Sequence, residues 1–599
     1  MDQSTGNLRW LRLATLMASI GLVVAACGTT GGGTPTTSAS TGTKGGTLSL
    51  IGTSDPDAFD TATAYSTTDY MFERAYARGL VGYPTSSDLQ KTNTVTADAA
   101  TQVPTTSNGG ISSDGKTYTF KIKSGVKWNT SPARQVTAQD FVLGMKRLCN
   151  PVNPVGAPGY YESTIAGFKD YCEPMLKLTD QSATGIATYI NGHDISGITT
   201  SGSDTIKFTL VQAASDFLNI LALPFASAAP KEYLQYVPGD NTFNQHVISD
   251  GPYTIVKYDV GKELDLDRNP AWDSSTDNLR AAYVDHIKLM LGFDASASQQ
   301  QIAAGTADMQ FDNAIPTADL AQLLQAKDPR LVVGPPGEIN PYMVFNFQSP
   351  NNGGAMAKLQ VRQAIEYAID KVAIAQFYGG LSINIPAHQI LTKGSAGYEA
   401  FNLYPTANDQ GDPAKTKSML AAAGYPNGLT LKMVCRTSGV HPKNCQSYQG
   451  DLQKAGITLQ ILPVPSSQYY TKYLGAPDAA KRGVWDVADP GWIPDWAGNN
   501  GRSIIQPLFD GRTYGPQSTD WGDYNSDAVN SDIDKALAAK SVSDGNKYWH
   551  EADMQIMKDA AVVPVLDQSA PVFHSSRVQN FVFFPFISQG DITNVWLKG

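Results

Sequence analysis

Asp114-Gly-Lys-Thr-Tyr-Thr-Phe-Lys-Ile-Lys-Ser-Gly-Val-Lys-Trp128 is the stretch from which the fold reads. From Thr117 to Lys123 it alternates, with Tyr118, Phe120 and Ile122 on one face and Thr119, Lys121 and Lys123 on the other, the period of a half-buried strand. Asp114-Gly115 before it and Ser124-Gly125 after it are turn signals. Thr137-Ala-Gln-Asp140 then forms a capping-box pattern that predicts a helix through Phe141 to Leu148. On the other side, Gly110-Ile-Ser-Ser-Asp-Gly115-Lys116-Thr117 is a formal match to a phosphate-binding loop. Such a loop needs a buried strand before it and a helix after it, to aim backbone N–H groups at phosphate. Here a polar, turn-like run precedes and a strand follows, so the segment reads as a loop leading into a hairpin.

Further along, Tyr253 to Tyr258 and Glu263 to Asp267 flank a turn at Asp259 to Gly261, a hairpin pattern closed by Asn269-Pro270. In the second half, Val361, Ala364, Ile365, Ala368 and Val372 take the spacing of one buried helical face. Asp412-Pro413 predicts an N-cap with proline in the first turn, and Gly424 and Pro426 stop that helix. Leu429 to Val434, a helix ending near Gly456, and Ile457 to Leu462 predict a β-α-β unit.

Four of these blocks, in order, resemble the family 5 solute-binding proteins of bacterial ABC importers, the oligopeptide- and dipeptide-binding type. They are Asp114–Trp128 with Val136–Phe141, Ser249–Tyr253 with Leu266–Pro270, Phe345-Asn346 with Val361–Ile365 and Ala368–Lys371, and Asp412-Pro413 through Tyr425. The resemblance implies a two-lobed α/β fold of the periplasmic-binding type, with ligand captured between closing lobes. Domain I is then discontinuous (47–80, 200–285 and 570–599), domain II is inserted at 81–199, and an α/β domain III covers 286–569. Asp489-Pro-Gly-Trp-Ile-Pro-Asp-Trp496 resembles the family segment that meets a bound peptide. It implies that Asp495 pairs with the ligand's α-ammonium, that Trp492 lines a side-chain pocket with Trp496 beside it, and that the backbone at Gly491 to Ile493 pairs with the peptide as an added strand. A turn or capping role for Asp495, and core packing for Trp492 and Trp496, stay open. Pro494 and Asn499-Asn500 depart from the family pattern. Arg362, beside Val361, reads as one half of a structural ion pair.

The N-terminus supplies the address. Arg9 and Arg12 precede an apolar run from Leu13 to Ala26 that is too short to span a bilayer, so residues 1–26 read as a signal peptide. Val24-Ala25-Ala26-Cys27 resembles the lipobox of bacterial lipoproteins, which makes Cys27 the lipidated first residue of the mature chain. After Cys27, residues 28–46 are Gly, Thr, Ser and Ala with one Pro and one Lys, so 27–46 read as a lipid-anchored flexible spacer. Removing a +1 leader from a chain of net charge −10 leaves −11, which argues against nucleic acid as a partner. Of the five cysteines, Cys149 with Cys172 and Cys435 with Cys445 are the natural local pairs in an exported chain, other pairings staying open.

The sequence holds no His-Glu-x-x-His or Gly-x-Ser-x-Gly motif, and its Asp523–Asp534 stretch is a poor calcium loop because Ala528 replaces the needed glycine. The reading is therefore a monomeric binding protein without cofactor, metal or catalysis. It is held by lipid on the outer face of the cell membrane and delivers peptides to permease subunits. The alternatives are an oligosaccharide or metal-chelate ligand on the same fold, with Trp485, Trp492, Trp496, Tyr469 and Tyr470 as stacking platforms, a signalling receptor, or a tethered hydrolase.

Overall fold

A computed structural model describes residues 42–154, 158–539 and 541–599. The signal peptide and Cys27 lie outside the described residues. Two bodies are built, each around a five-stranded mixed sheet.

The first sheet centres on Thr47–Ile51, which pairs in parallel with His286–Met290 on one side and Met309–Gln310 on the other. The hairpin Tyr253–Asp259 and Glu263–Arg268 extends it antiparallel, with Lys262 N–H closing the turn on the Asp259 carbonyl at 2.9 Å. Leu48, Leu50, Leu264, Leu266, Ile287 and Leu289 project from alternate positions into one core and are fully buried. The sheet therefore runs past residue 285, where the sequence reading began domain III. Chain assigned to the spacer is also part of this body: Gly45 N–H donates to the Tyr283 carbonyl at 2.9 Å, and the Gly46 carbonyl accepts from Asp285 at 3.0 Å.

The strand read first, Thr117–Lys121, buries Tyr118 and Phe120 as its alternation predicts. Its partner is distant, however: it pairs antiparallel with Thr205–Thr209, which pairs in turn with Ile198–Ser201. The Lys127–Trp128 segment instead forms its own hairpin with Arg134–Gln135. Helix Ala138–Arg147 follows with the Thr137–Asp140 capping box formed, the Thr137 N–H donating to Asp140 Oδ2 at 2.8 Å. Cys149 and Cys172 are joined by a disulfide in this body, and Cys435 and Cys445 by another in the second.

The second sheet has the order Ile457–Val464, Leu429–Arg436, Val487–Ala488, Tyr342–Phe345, Val562–Pro564. Its first two strands run parallel through the helix His441–Lys454, the expected β-α-β unit. Helix Pro413–Ala422 starts at an Asp412 cap, whose side chain accepts from Lys415 N at 2.9 Å. The apolar stripe from Val361 to Val372 is not one helix. Leu359–Glu366 ends, and Lys371–Phe377 begins at Asp370, which caps it by accepting from Ala373 N at 2.9 Å. Among the described residues Arg362 has no ion-pair partner: its guanidinium is buried and donates to the carbonyls of Met356, Asp559 and Ala560 at 2.7–3.0 Å. Among the described residues no helix is long and apolar enough to cross a membrane.

Candidate functional site

Segment 489–502 leaves the second sheet at the strand Val487–Ala488, which runs parallel to Leu429–Arg436. It therefore emerges at the carboxyl edge of the parallel strands, where open α/β sheets receive ligands. It then crosses to the first body. Trp492 packs in a second-body core, while Trp496 and Ala497 pack in the core of the first.

Asp495 sits at that crossing, 9% exposed. Its Oδ2 accepts the hydroxyl of Tyr65 at 3.0 Å and that of Tyr160, both from the first body. Oδ1 has no hydrogen-bond partner among the described residues. Burial pushes the carboxyl up to about 7, against the two phenolic hydrogen bonds that favour its charge. The arrangement suits a group that shares its proton near neutral pH when empty and is held as a carboxylate against a cation.

Trp492 spends both of its donors inside the protein. Its backbone N–H goes to the Ile339 carbonyl at 2.9 Å, and its indole N–H to the Ser503 carbonyl at 2.7 Å. The ring meets Trp521 edge-on at 6.2 Å. Pro490 faces the same way, its carbonyl accepting from Tyr342 N at 3.0 Å. Alternation then turns the backbone groups of Gly491 and Ile493 to the opposite side, where they have no hydrogen-bond partner among the described residues. A side chain at 491 would meet Asn340 Oδ1 at 2.2 Å, so glycine is required by that close approach.

Trp496 is a packing residue: it is 1% exposed, meets Tyr160 edge-on at 5.1 Å and donates its indole N–H to the Asn499 carbonyl. Ile493, Pro494 and Trp496 border a cavity of about 170 Å³ that also touches Glu338 and Lys393. Trp485 and Tyr469, considered as stacking platforms, are fully buried, whereas Tyr470 is half-buried.

Reading the sequence alone missed a polar cluster at the same sheet edge. Arg436 ends its strand with the guanidinium carbon 4.8 Å from the Tyr469 ring centroid and 5.5 Å from that of Tyr470, and it donates to the Asp489 carbonyl at 2.9 Å. Asp489 accepts from Asn444 at 3.2 Å and lies 3.5 Å from His441, whose imidazole is held below its usual range by burial. Arg436 Nε, Asn444 Oδ1, Tyr448 and Tyr469 hydroxyls and Asp489 Oδ1 are buried with no hydrogen-bond partner among the described residues. Buried polar groups are rarely left so, and several together mark a place built for polar company. The available signal was a cation, Arg436, closing a strand whose preceding residues Met433, Val434 and Cys435 are apolar.

The sequence profile of the bacterial extracellular solute-binding proteins, family 5 (middle region), matches residues 98–513. The chain belongs to this family. It is 25% identical over 494 residues to heme-binding protein A of Haemophilus influenzae, covering 80% of each chain. To the periplasmic oligopeptide-binding protein OppA of Escherichia coli it is 23% identical over 461 residues, covering 76% of each. Among solved structures, clavulanic acid biosynthesis oligopeptide binding protein 2 superposes with a TM-score of 0.80 at 22% identity, over 93% of this chain and 96% of that one. DppA from Helicobacter pylori, in complex with the peptide STSA, superposes at 0.72 with 21% identity, over 93% and 99%. The two-lobed fold of this solute-binding protein is thus that of the periplasmic peptide-binding proteins.

Proposed function

We propose that this solute-binding protein captures peptides by their free N-terminus and hands them to a membrane importer, tethered by lipid on Cys27 and catalysing nothing itself. The observation that carries the reading is Asp495, a buried carboxyl on the segment joining the two bodies, with one oxygen held by two tyrosines and the other uncommitted. Beside it, the free backbone groups of Gly491 and Ile493 suit an added peptide strand, which accepts varied side chains. Arg436, with its tyrosine bracket, offers a charge for the carboxyl end. Trp492 contributes the floor, and Trp496 supports it from the first-body core. Peptide-binding relatives over most of the chain support the same reading.

A metal chelate is the second reading, favoured by the heme-binding relative. Thermal shift separates the two. Short peptides with free termini should raise Tm, their N-acetylated forms should raise it much less, and oligosaccharides and hemin should leave it unchanged. Stabilisation by hemin with no response to any peptide would overturn the peptide reading.

A further inference from the structure

Arg502 opens the helix Arg502–Phe509, whose Ile504, Ile505, Leu508 and Phe509 are buried in the second body. A cation in the first turn faces the positive end of the helix dipole, so the helix gains nothing from it. The residue is nonetheless 1% exposed, and a buried charge demands partners. Those partners come mostly from the other body. One terminal nitrogen reaches Asp216 Oδ1 and Oδ2 at 3.2 and 3.3 Å. The second reaches Ser163 Oγ and Thr164 Oγ1 at 2.9 Å each, and the Tyr160 carbonyl at 3.3 Å. Only Nε stays at home, on Gln506 at 2.6 Å. The guanidinium carbon lies 5.7 Å from the centroid of the Tyr160 ring, whose hydroxyl is donated to Asp495.

We propose that Arg502 is a positioning residue for ammonium capture: by pinning residues 160–164 and Asp216 across the junction between the bodies, it aims the Tyr160 hydroxyl at Asp495 Oδ2 and so presents Oδ1 to the ligand. Only a planar fork serves the Asp216 carboxylate, two hydroxyls and a carbonyl together, which a lysine ammonium does not. The path runs from Arg502 through the backbone and ring of Tyr160 to the carboxyl. Selection of a free N-terminus thereby depends on contact between the two bodies. The inference rests on the peptide reading above, and its test separates the two.

The measured quantity is the ratio of affinities for trialanine and N-acetyl-trialanine, by titration calorimetry on wild type, Arg502→Gln, Arg502→Lys, Tyr160→Phe and the Arg502→Gln/Tyr160→Phe double variant. Tyr160→Phe and Arg502→Gln should each lower the ratio about tenfold, as befits loss of a hydrogen bond to a charged group. The double variant should lower it no further than either single one, because both act on one path. Arg502→Lys should not restore it, and affinity for the acetylated peptide should stay within about twofold of wild type. Should Arg502→Gln fail to fold, Ser163→Ala/Thr164→Ala removes two acceptors while leaving the Asp216 pair, and must lower the ratio several-fold. An unchanged ratio in the Arg502 or hydroxyl variants, or an equal loss for both peptides, overturns the positioning role. A wild-type ratio near one overturns ammonium capture itself.

Discussion

Lowering the pH from about 7 to about 5 should weaken capture of a free-N-terminus peptide roughly a hundredfold, and Asp495→Asn should abolish that dependence. Burial pushes the Asp495 carboxyl up to about 7, with the Tyr160 and Tyr65 hydrogen bonds opposing the shift. An ammonium partner requires the ionised form, so binding on the acid side expels a proton. Each pH unit below that value then costs about 1.4 kcal/mol of affinity, a factor of ten, and two units cost about 2.7 kcal/mol. Above about pH 8 the sign reverses, because the peptide's own α-amino group loses its proton. The affinity optimum should therefore lie between about 7 and 8. Asparagine keeps the shape of the side chain and still accepts from the tyrosines, but it supplies no charge. Removing one partner of a buried ion pair costs about 3–5 kcal/mol, so Asp495→Asn should bind several hundredfold more weakly or worse near neutrality, with a flat acid limb. Titration calorimetry of one tripeptide across this range, repeated in two buffers of different protonation enthalpy, reads both the affinity and the proton count. About one proton should leave per peptide bound well below pH 7. Peptide binding with a flat acid limb and no proton release in wild type would refute the reasoning.

Other perturbations follow the same geometry. Replacing Cys435 and Cys445 with serine opens a link of sequence separation 10, worth roughly 3 kcal/mol by chain entropy, and should lower Tm. Peptide affinity should fall in the same variant, since the link joins the strand end carrying Arg436 to the helix carrying His441 and Asn444; affinity equal to wild type after the Tm loss would count against Arg436. Gly491→Ala places a Cβ 2.2 Å from Asn340 Oδ1 and should cost about 1–3 kcal/mol in chemical denaturation, with weaker peptide binding. Stability of the empty protein should fall as pH rises from about 4 to 7. Asp69, Asp495, Asp553 and Glu338 are all pushed up to about 7 by burial, so across that window they hold protons in the folded state that the unfolded chain has released. A higher Tm near pH 8 than near pH 5 in the absence of ligand would contradict this.

What the sequence made legible is local. The alternation of Thr117–Lys121, the Thr137 capping box, the Asp412-Pro413 helix start and the β-α-β unit each depend on residues within about one element of each other, and all form. Where a partner is distant, pattern gives no address. Nothing around Thr117 points to Thr205–Thr209, nor around Asp495 to Tyr65 and Tyr160, which lie 430 and 335 residues away in the chain. The stripe from Val361 to Val372 misled for a different reason. Burial of Ala368 continues the periodicity through a break, while Asp370 competes locally as a cap and restarts the helix. Arg362 and Arg502 were opaque because charge alone does not tell a carbonyl cage from an ion pair. Trp492 and Trp496, identical in type and four residues apart, divide between two cores, a distinction no single-sequence pattern carries.

That division bears on how capture is coupled to contact between the bodies. A ligand can favour the joined arrangement only by touching both sides differently in the two states. Segment 489–502 is rooted in the second sheet, yet its Asp495 and Arg502 are held mainly by side chains and backbone of the first body. Separation of the bodies would strip Arg502 of Asp216, Ser163 and Thr164 and Asp495 of both tyrosines, so the proposed ammonium site would be assembled only when they meet. A carboxyl that rests close to neutrality limits the penalty of burying it without a ligand, and ionisation against an ammonium adds a charge pair that separation would break. Binding energy gained at Asp495 is therefore available only in the joined state, which is the condition for a ligand to draw two bodies together rather than merely adhere to one.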